Sequence, residues 1–300
     1  MNNVLVTGSS GFLGAAAVTR LLDAGHNVIG LDPAPPAQLA RRHVVDDLSE
    51  QHRLTELLRT EQVSHIIHCG GISGPMVMKD DPAQIMAINV GGSMNLLQAS
   101  LSTGVKTFIY CSSVSAVGNF YESEPIGDDY PLQPASPYGC SKAAIDMVLR
   151  GLWRRVPMDL CSLRFTSIYG PGRRTSLTVD DIVTAAVRGT SVEVEPSTDW
   201  SYIYVDDAAD AALAACFSIR RNQLCYYIAY PEQVTFAALA TATGTSKISP
   251  PRLIVDNGKP SVARGALDIA PAQRDFDFTP KVSYHQGIRR MVDARIAEQA

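Results

Sequence analysis

The chain has 300 residues, 46% hydrophobic and 19% charged, which is enough apolar material for one large domain or two closely packed ones and excludes a disordered chain. Lys and Arg number 26 against 30 Asp and Glu, a net charge of −4 without any block of like sign, so no nucleic-acid partner is expected. The longest apolar runs are strand-sized or broken by charges, which argues against a membrane span.

Met1-Asn2-Asn3 leads straight into a strand pattern at Val4–Thr7, so no signal peptide is expected and the reading is cytoplasmic. A helix over Phe12–Ala24 stops at Gly25, and Val28–Asp32 forms a second strand that Pro33–Pro36 ends. A helix from about Glu50 to Arg59 leads into a buried strand over Val63–Cys69. Asp81-Pro82 supplies a capping carboxylate and a proline at the first helical position, starting a helix that runs to about Ser102 and ends at Gly104. Lys106–Ser112 is a strand, Ser136-Pro137 starts a helix to about Trp153, and Asp159–Phe165 is a further strand. The loop from Ser113 to Ser136 is long, and its Glu122, Glu124, Asp128 and Asp129 read as a solvated face over the site. Beyond Gly172 the clearest pieces are helices over Thr178–Arg188, Asp206–Ser218 and Tyr284–Ala297 and a strand at Val192–Glu195.

This alternation predicts an α/β fold, a doubly wound parallel sheet with helices on both faces and a smaller C-terminal substrate-binding lobe. The boundary falls near Gly170–Arg174, dividing residues 1–170 from 171–300, with part of the chain after residue 196 returning to the first domain. Cys69, Cys111, Cys140, Cys161, Cys216 and Cys225 lack CxxC spacing and His-rich neighbours, so they read as reduced, packed thiols. No metal site is expected.

Thr7-Gly8-Ser9-Ser10-Gly11-Phe12-Leu13-Gly14 lies between the first strand and first helix. Gly8 allows a tight turn, Gly11 lets backbone approach a pyrophosphate, Gly14 permits close packing, and the helix N-terminus offers unpaired N–H groups to phosphates. Asp32 closes the second strand, where its carboxylate can accept both adenosine ribose hydroxyls; a 2′-phosphate would meet that charge with no adjacent arginine, so NAD is favoured over NADP. Tyr138 and Lys142 are four positions apart at the start of a helix and share a face. An ammonium beside a phenol stabilises the phenolate that base chemistry on an alcohol requires. Ser113, at the end of its strand, is placed to hydrogen-bond the oxygen whose proton Tyr138 removes.

In combination these motifs resemble the extended short-chain dehydrogenase/reductase superfamily and, within it, the NAD-dependent epimerase/dehydratase family. Asp47-Leu48, His68-Cys69-Gly70-Gly71, the run Asn89-Val90-x-Gly92-x-x-Asn95, Leu163-Arg164-Phe165 through Gly172, and Tyr202–Asp207 are similar to further family segments. The resemblance implies a Rossmann-type fold with Tyr138 as catalytic acid/base, Lys142 holding the nicotinamide ribose, and Ser113 orienting the substrate oxygen. It places Gly8, Gly11, Phe12 and Leu13 on the pyrophosphate, Asp32, Asp47 and Leu48 around adenosine, and Cys69, Gly70, Asn89 and Ile168 along the cofactor path. Ser73, Ser113, Tyr138, Ser167 and Arg174 are the expected substrate contacts. It also implies a homodimer formed by the two helices over Pro82–Ser102 and Ser136–Trp153.

Departures from the family pattern narrow the chemistry. Ser113-Val114-Ser115 stands where dehydratases carry Thr-Asp-Glu, which argues against dehydration. Ser167 stands where many nucleotide-sugar enzymes have asparagine, and Trp200-Ser201 where they have Arg-Asp, the arginine that neutralises a diphosphate. Arg173, Arg174 and Arg264 are candidate replacements. The sequence alone therefore favours hydride transfer between nicotinamide and a secondary alcohol of a free sugar, sugar acid or polyol. A nucleotide-sugar epimerase working through a transient keto intermediate is the alternative. A non-catalytic NAD-binding sensor is the contrasting class, against which the intact Ser113, Tyr138 and Lys142 speak.

Overall fold

Continuous apolar strands separated by amphipathic helices assemble into a parallel sheet covered on both faces. The structure, a computed structural model, describes residues 2–36, 42–74, 76–120, 122, 124–175, 177–196, 199–258 and 265–299. The chain opens with β1 (Asn3–Thr7), α1 (Phe12–Asp23), β2 (Asn27–Asp32), β3 (Arg42–Val45), α2 (Gln51–Thr60) and β4 (His65–His68). It continues with α3 (Pro82–Met86), α4 (Gly92–Thr103), β5 (Thr107–Ser113), α5 (Pro137–Leu152), β6 (Asp159–Phe165), β7 (Ser167–Tyr169) and α6 (Thr178–Arg188). β8 (Val192–Val194), β9 (Trp200–Tyr204), α7 (Val205–Phe217), β10 (Cys225–Ile228), β11 (Gln233–Val234), α8 (Phe236–Ala242), β12 (Leu253–Val255), α9 (Ala270–Phe276) and α10 (Tyr284–Ala297) complete it.

Seven strands form the central sheet in the order β10-β6-β5-β4-β1-β2-β3, every neighbouring pair parallel. Alternate residues bury on opposite faces: Val4, Val6, Ile109 and Leu163 pack with Ala17 and Leu21 of α1 and Ala208 and Ala212 of α7. Leu5, Ile66, Phe108 and Tyr110 pack with Leu54 of α2, Leu96 of α4 and Ile145 of α5. Strand order reverses between β1 and β4, so the connections after them diverge and leave a crevice at the carboxyl ends. β10 adds to the outer edge of β6 after the chain has passed through the second lobe.

The helix expected from Pro82 to Ser102 is one helical run with an interruption. Asp81 caps its start by accepting the Gln84 N–H (3.0 Å), but Ala87–Gly91 is a π turn between α3 and α4. Such turns insert a residue into the hydrogen-bond ladder, and here that places the buried Asn89 side chain toward the sheet ends. α5 is held against β6 by the ion pair Arg164–Asp146 (2.9 Å), both side chains 1% exposed, with Ser162 donating to the other Asp146 oxygen.

The second lobe is a three-stranded sheet, β11-β9-β7, and a β12-β8 pair, packed with α6, α8 and α10 around Tyr169, Ile182, Tyr202 and Ile288. The acidic loop before α5 is not simply a solvated face. Val114, Val117, Phe120 and Ile126 bury against Tyr227 and Leu267, so the loop is seated while its acidic residues face outward or toward its rim. No helix among the described residues is long and apolar enough to cross a membrane, and none of them form a His/Cys/Asp/Glu cluster suited to a metal.

Candidate active site

The crevice at the carboxyl ends is a cleft of about 1040 Å³. Its floor is the turn between β1 and α1. Gly8 has φ +64°, and a Cβ there would lie 2.8 Å from the Cys69 carbonyl carbon and from Gly70, so only glycine seats the turn on the next strand end. A Cβ on Gly14 would overlap the Gly8 carbonyl oxygen. Close packing of turn and helix thus requires the last glycine. No side chain caps α1 at Gly11, so its first N–H groups face the cleft as a ready anion site.

Asp32 accepts the Ser10 N–H (3.1 Å) on one oxygen and the Ala34 N–H (2.8 Å) on the other, which fixes the carboxylate at the cleft wall. Each oxygen keeps a further lone pair for a ribose hydroxyl. Asp47 and Leu48 line the same end; hydrogen bonds from the Ser49 hydroxyl and N–H hold Asp47 below the usual carboxylate range. Asn95 of α4 donates to the Leu48 carbonyl (2.9 Å), pinning this loop. Gly8, Gly11, Phe12, Leu13, Cys69, Gly70 and Ile168 also line the cleft. These groups fit a dinucleotide.

At the other end lie Ser113, Tyr138 and Lys142. Ser136 caps α5 by accepting the Gly139 N–H (3.1 Å), which puts Tyr138 in the first turn and Lys142 one turn on, both buried. The Lys142 ammonium donates to the Cys111 carbonyl (2.7 Å) and lies 4.7 Å from the Tyr110 ring centroid and 5.9 Å from that of Tyr138. Burial alone would lower its pKa, but the surrounding Tyr110, Tyr138 and Cys111 outweigh that and raise it, so the cation is secure. Ser113 Oγ accepts the Ser115 N–H (3.1 Å), leaving its own O–H free to donate into the cleft. Cys140, expected to pack, is exposed on α5.

Behind the cleft runs a directed chain of hydrogen bonds that sequence reasoning passes over. Ser93 donates its only hydroxyl proton to the Asn89 carbonyl (2.5 Å), so it must accept from His68 Nε2–H (2.8 Å). His68 Nδ1 then accepts the Thr7 O–H (2.6 Å), and Thr7 Oγ1 accepts the Gly70 N–H (3.1 Å). Burial, aided by the Lys142 charge, pushes the His68 pKa down to about 3, so the imidazole is neutral. Asn89 does not line the cleft; it accepts the Ile72 N–H (2.6 Å) and donates to Ser141 Oγ (2.9 Å), which donates to the Tyr138 carbonyl (2.7 Å). Asn89 thereby joins the Gly70–Ile72 wall to the helix bearing Tyr138. Ser141 is detectable in retrospect, three positions after Tyr138 on the same helix face.

Ser73, Ser167, Arg173 and Arg174 line the remaining wall. The two departures at 167 and 200 touch each other: the Trp200 indole N–H donates to Ser167 Oγ (3.0 Å). Arg174 is exposed at the rim, whereas Arg173 is half-buried and locked by donating to the Ile168 (2.6 Å) and Thr175 (3.1 Å) carbonyls. Burial lowers the Arg173 pKa against the opposing pull of Asp180 and Tyr138. A carboxylate within 4 Å is lacking among the described residues, so Arg173 is an oriented cation facing the cleft. Arg264 lies outside the described residues.

Comparison with known proteins gives consistent matches. The model of the NAD dependent epimerase/dehydratase family matches residues 4–224. A UDP-glucose 4-epimerase of Mycolicibacterium smegmatis is 26% identical over 309 residues, covering 96% of this chain and 97% of its own. The crystal structure of a UDP-glucose 4-epimerase from Thermotoga maritima with UDP-glucose superposes with a TM-score of 0.87 at 25% identity, covering 99% of this chain and 100% of that one. One from Thermus thermophilus in complex with NAD gives 0.83 at 26%, covering 98% and 99%.

Proposed function

The chain belongs to the NAD dependent epimerase/dehydratase family, and we propose that it is a nucleotide-sugar 4-epimerase using NAD. The observation that carries this reading is the end-to-end similarity to UDP-glucose 4-epimerases, which favours the nucleotide-sugar alternative over the free sugar, sugar acid or polyol inferred from residues 167 and 200.

When bound, NAD supplies the acceptor and then the donor for a hydride at the sugar's C4 carbon. Tyr138 takes the proton of the 4-hydroxyl and later returns it. Ser113 donates to the same oxygen and fixes its position, and the Lys142 charge favours the phenolate that accepts the proton in the first step. Asp32, Asp47 and the uncapped start of α1 hold the adenosine and pyrophosphate at the far end. Arg173 takes the place of the family arginine: its guanidinium, fixed by two carbonyls, needs an anion to offset its partial burial, and the sugar's diphosphate supplies one. A second reading survives on the Trp200–Ser167 contact, in which the anion at Arg173 is the carboxylate of a free sugar acid and the net reaction is oxidation.

Incubation with NAD and a panel of nucleotide sugars, sugar acids and polyols tests both, following NADH absorbance and product stereochemistry together. Interconversion of 4-epimers without net NADH is expected. Net NADH from a free sugar acid, with nucleotide sugars inert, would replace the epimerase by the dehydrogenase.

A further inference from the structure

Cys69 and Cys111 stand at neighbouring strand ends, one position beyond the in-register pair His68–Tyr110 of β4 and β5. Their sulfurs lie 3.3 Å apart, and both residues line the cleft, Cys69 the more open of the two. Adjacent strands are separated by about 4.8 Å, inside the Cα range of about 4.4–6.8 Å over which a disulfide closes. Neither sulfur takes part in the proton or hydride chemistry. Each backbone does hold part of the site, however. The Cys111 carbonyl anchors the Lys142 ammonium at 2.7 Å, and the Cys69 carbonyl carbon packs beneath Gly8 of the dinucleotide turn.

We propose that Cys69 and Cys111 are an oxidation site for hydroperoxides, closing to a reversible disulfide that impairs dinucleotide binding. Hydrogen peroxide oxidises the Cys69 thiol to a sulfenic acid, its O–O bond breaking and one water leaving. The Cys111 sulfur then attacks the Cys69 sulfur, the S–O bond breaks, a second water leaves, and the S–S bond forms. Two thiols lose two electrons to one peroxide, and the protons leave as water. The second step is intramolecular between sulfurs already in contact, so it outruns further oxidation of the sulfenic acid. Contact with Cys111 and burial hold the Cys69 thiol above its ordinary pKa, so the reaction is slow at neutral pH and quickens as pH rises. Closing the bond draws in the two strand ends that seat Lys142 and Gly8.

The test uses the nucleotide-free chain carrying Cys140→Ser, which removes the exposed thiol of α5. After hydrogen peroxide treatment and digestion without reductant, mass spectrometry is expected to find a linked Cys69–Cys111 peptide pair, lighter by about 2 Da than the reduced pair. The link should reverse with dithiothreitol and be absent in the Cys69→Ser and Cys111→Ala variants. Sulfinic acid at Cys69 without a link, or links formed only to other cysteines, overturns the proposal. Calorimetry with NAD then reads the consequence, which rests on the cofactor assignment: the oxidised chain should bind NAD more weakly than the reduced one, and equal binding overturns that half. A reduced chain that fails to bind NAD would sink the assigned function while leaving the peptide link, read by mass alone, intact.

Discussion

Tyr138 and Lys142 are legible in the sequence because their spacing alone puts them on one helix face, and Ser113 because a hydroxyl at a strand end reaches the sheet's open edge. Arg173 is legible only as one of three candidate arginines. What singles it out is the pair of backbone carbonyls that aim it, at Ile168 and Thr175, and the lack of a carboxylate partner within 4 Å among the described residues, neither of which a local motif records. Asn89 shows the opposite case, a motif residue whose side chain serves the protein's own architecture behind the cleft. At this scale the proposed chemistry rests on the phenol oxygen. Tyr138→Phe keeps the ring that fills the wall and removes the proton carrier, so turnover should fall about 100- to 10,000-fold with NAD affinity retained. Steady-state rates beside NAD titrations check this; a Phe variant that turns over at the parent rate would remove Tyr138 from the role.

Among the elements, α5 and α9 show how local signals and tertiary partners divide the work. The start of α5 is written in Ser136-Pro137, and the cap geometry follows it. The short strands β3, β7, β9 and β10 leave no such mark, since a run such as Cys225–Ile228 becomes a strand only because β6 offers it an edge. The π turn within the α3–α4 run is equally silent, because the pattern of apolar residues on either side continues through it. α9 is fastened to β10 by Asp275, which accepts from Tyr226 Oη (2.8 Å), Asn222 (3.1 Å) and Arg274 (2.7 Å). Burial would raise its pKa, but these hydrogen bonds, Arg274 foremost, push it down to about 2. The folded value lies below that of the unfolded chain, so Asp275 stabilises fully above about pH 4 and loses its contribution as pH falls toward 2. The melting temperature of the parent should exceed that of Asp275→Asn at pH 7, with the gap narrowing in acid. A gap independent of pH would show that the carboxylate charge is not what fastens α9.

For the whole molecule, the α/β architecture follows from the alternation of strands and helices, whereas the second lobe is obscured by its short strands and by a chain path that leaves the central sheet and comes back. Family resemblance implies a homodimer through α4 and α5, and the surface is suited to it: Met94 on α4 and Met147 on α5 are 37% and 65% exposed. Sedimentation at micromolar concentration should give a dimer, and Met147→Glu, which would bury a charge at that contact, should shift the equilibrium toward monomer. A monomeric parent would sink the expectation. The late arrival of β10 at the sheet also has a cost during synthesis. The outer edge of β6 emerges from the ribosome with its backbone groups unpaired, and its partner follows only after the intervening lobe segments have been made. At about 5–20 residues per second that interval lasts seconds, during which a nascent chain presents a strand template to its neighbours and to chaperones.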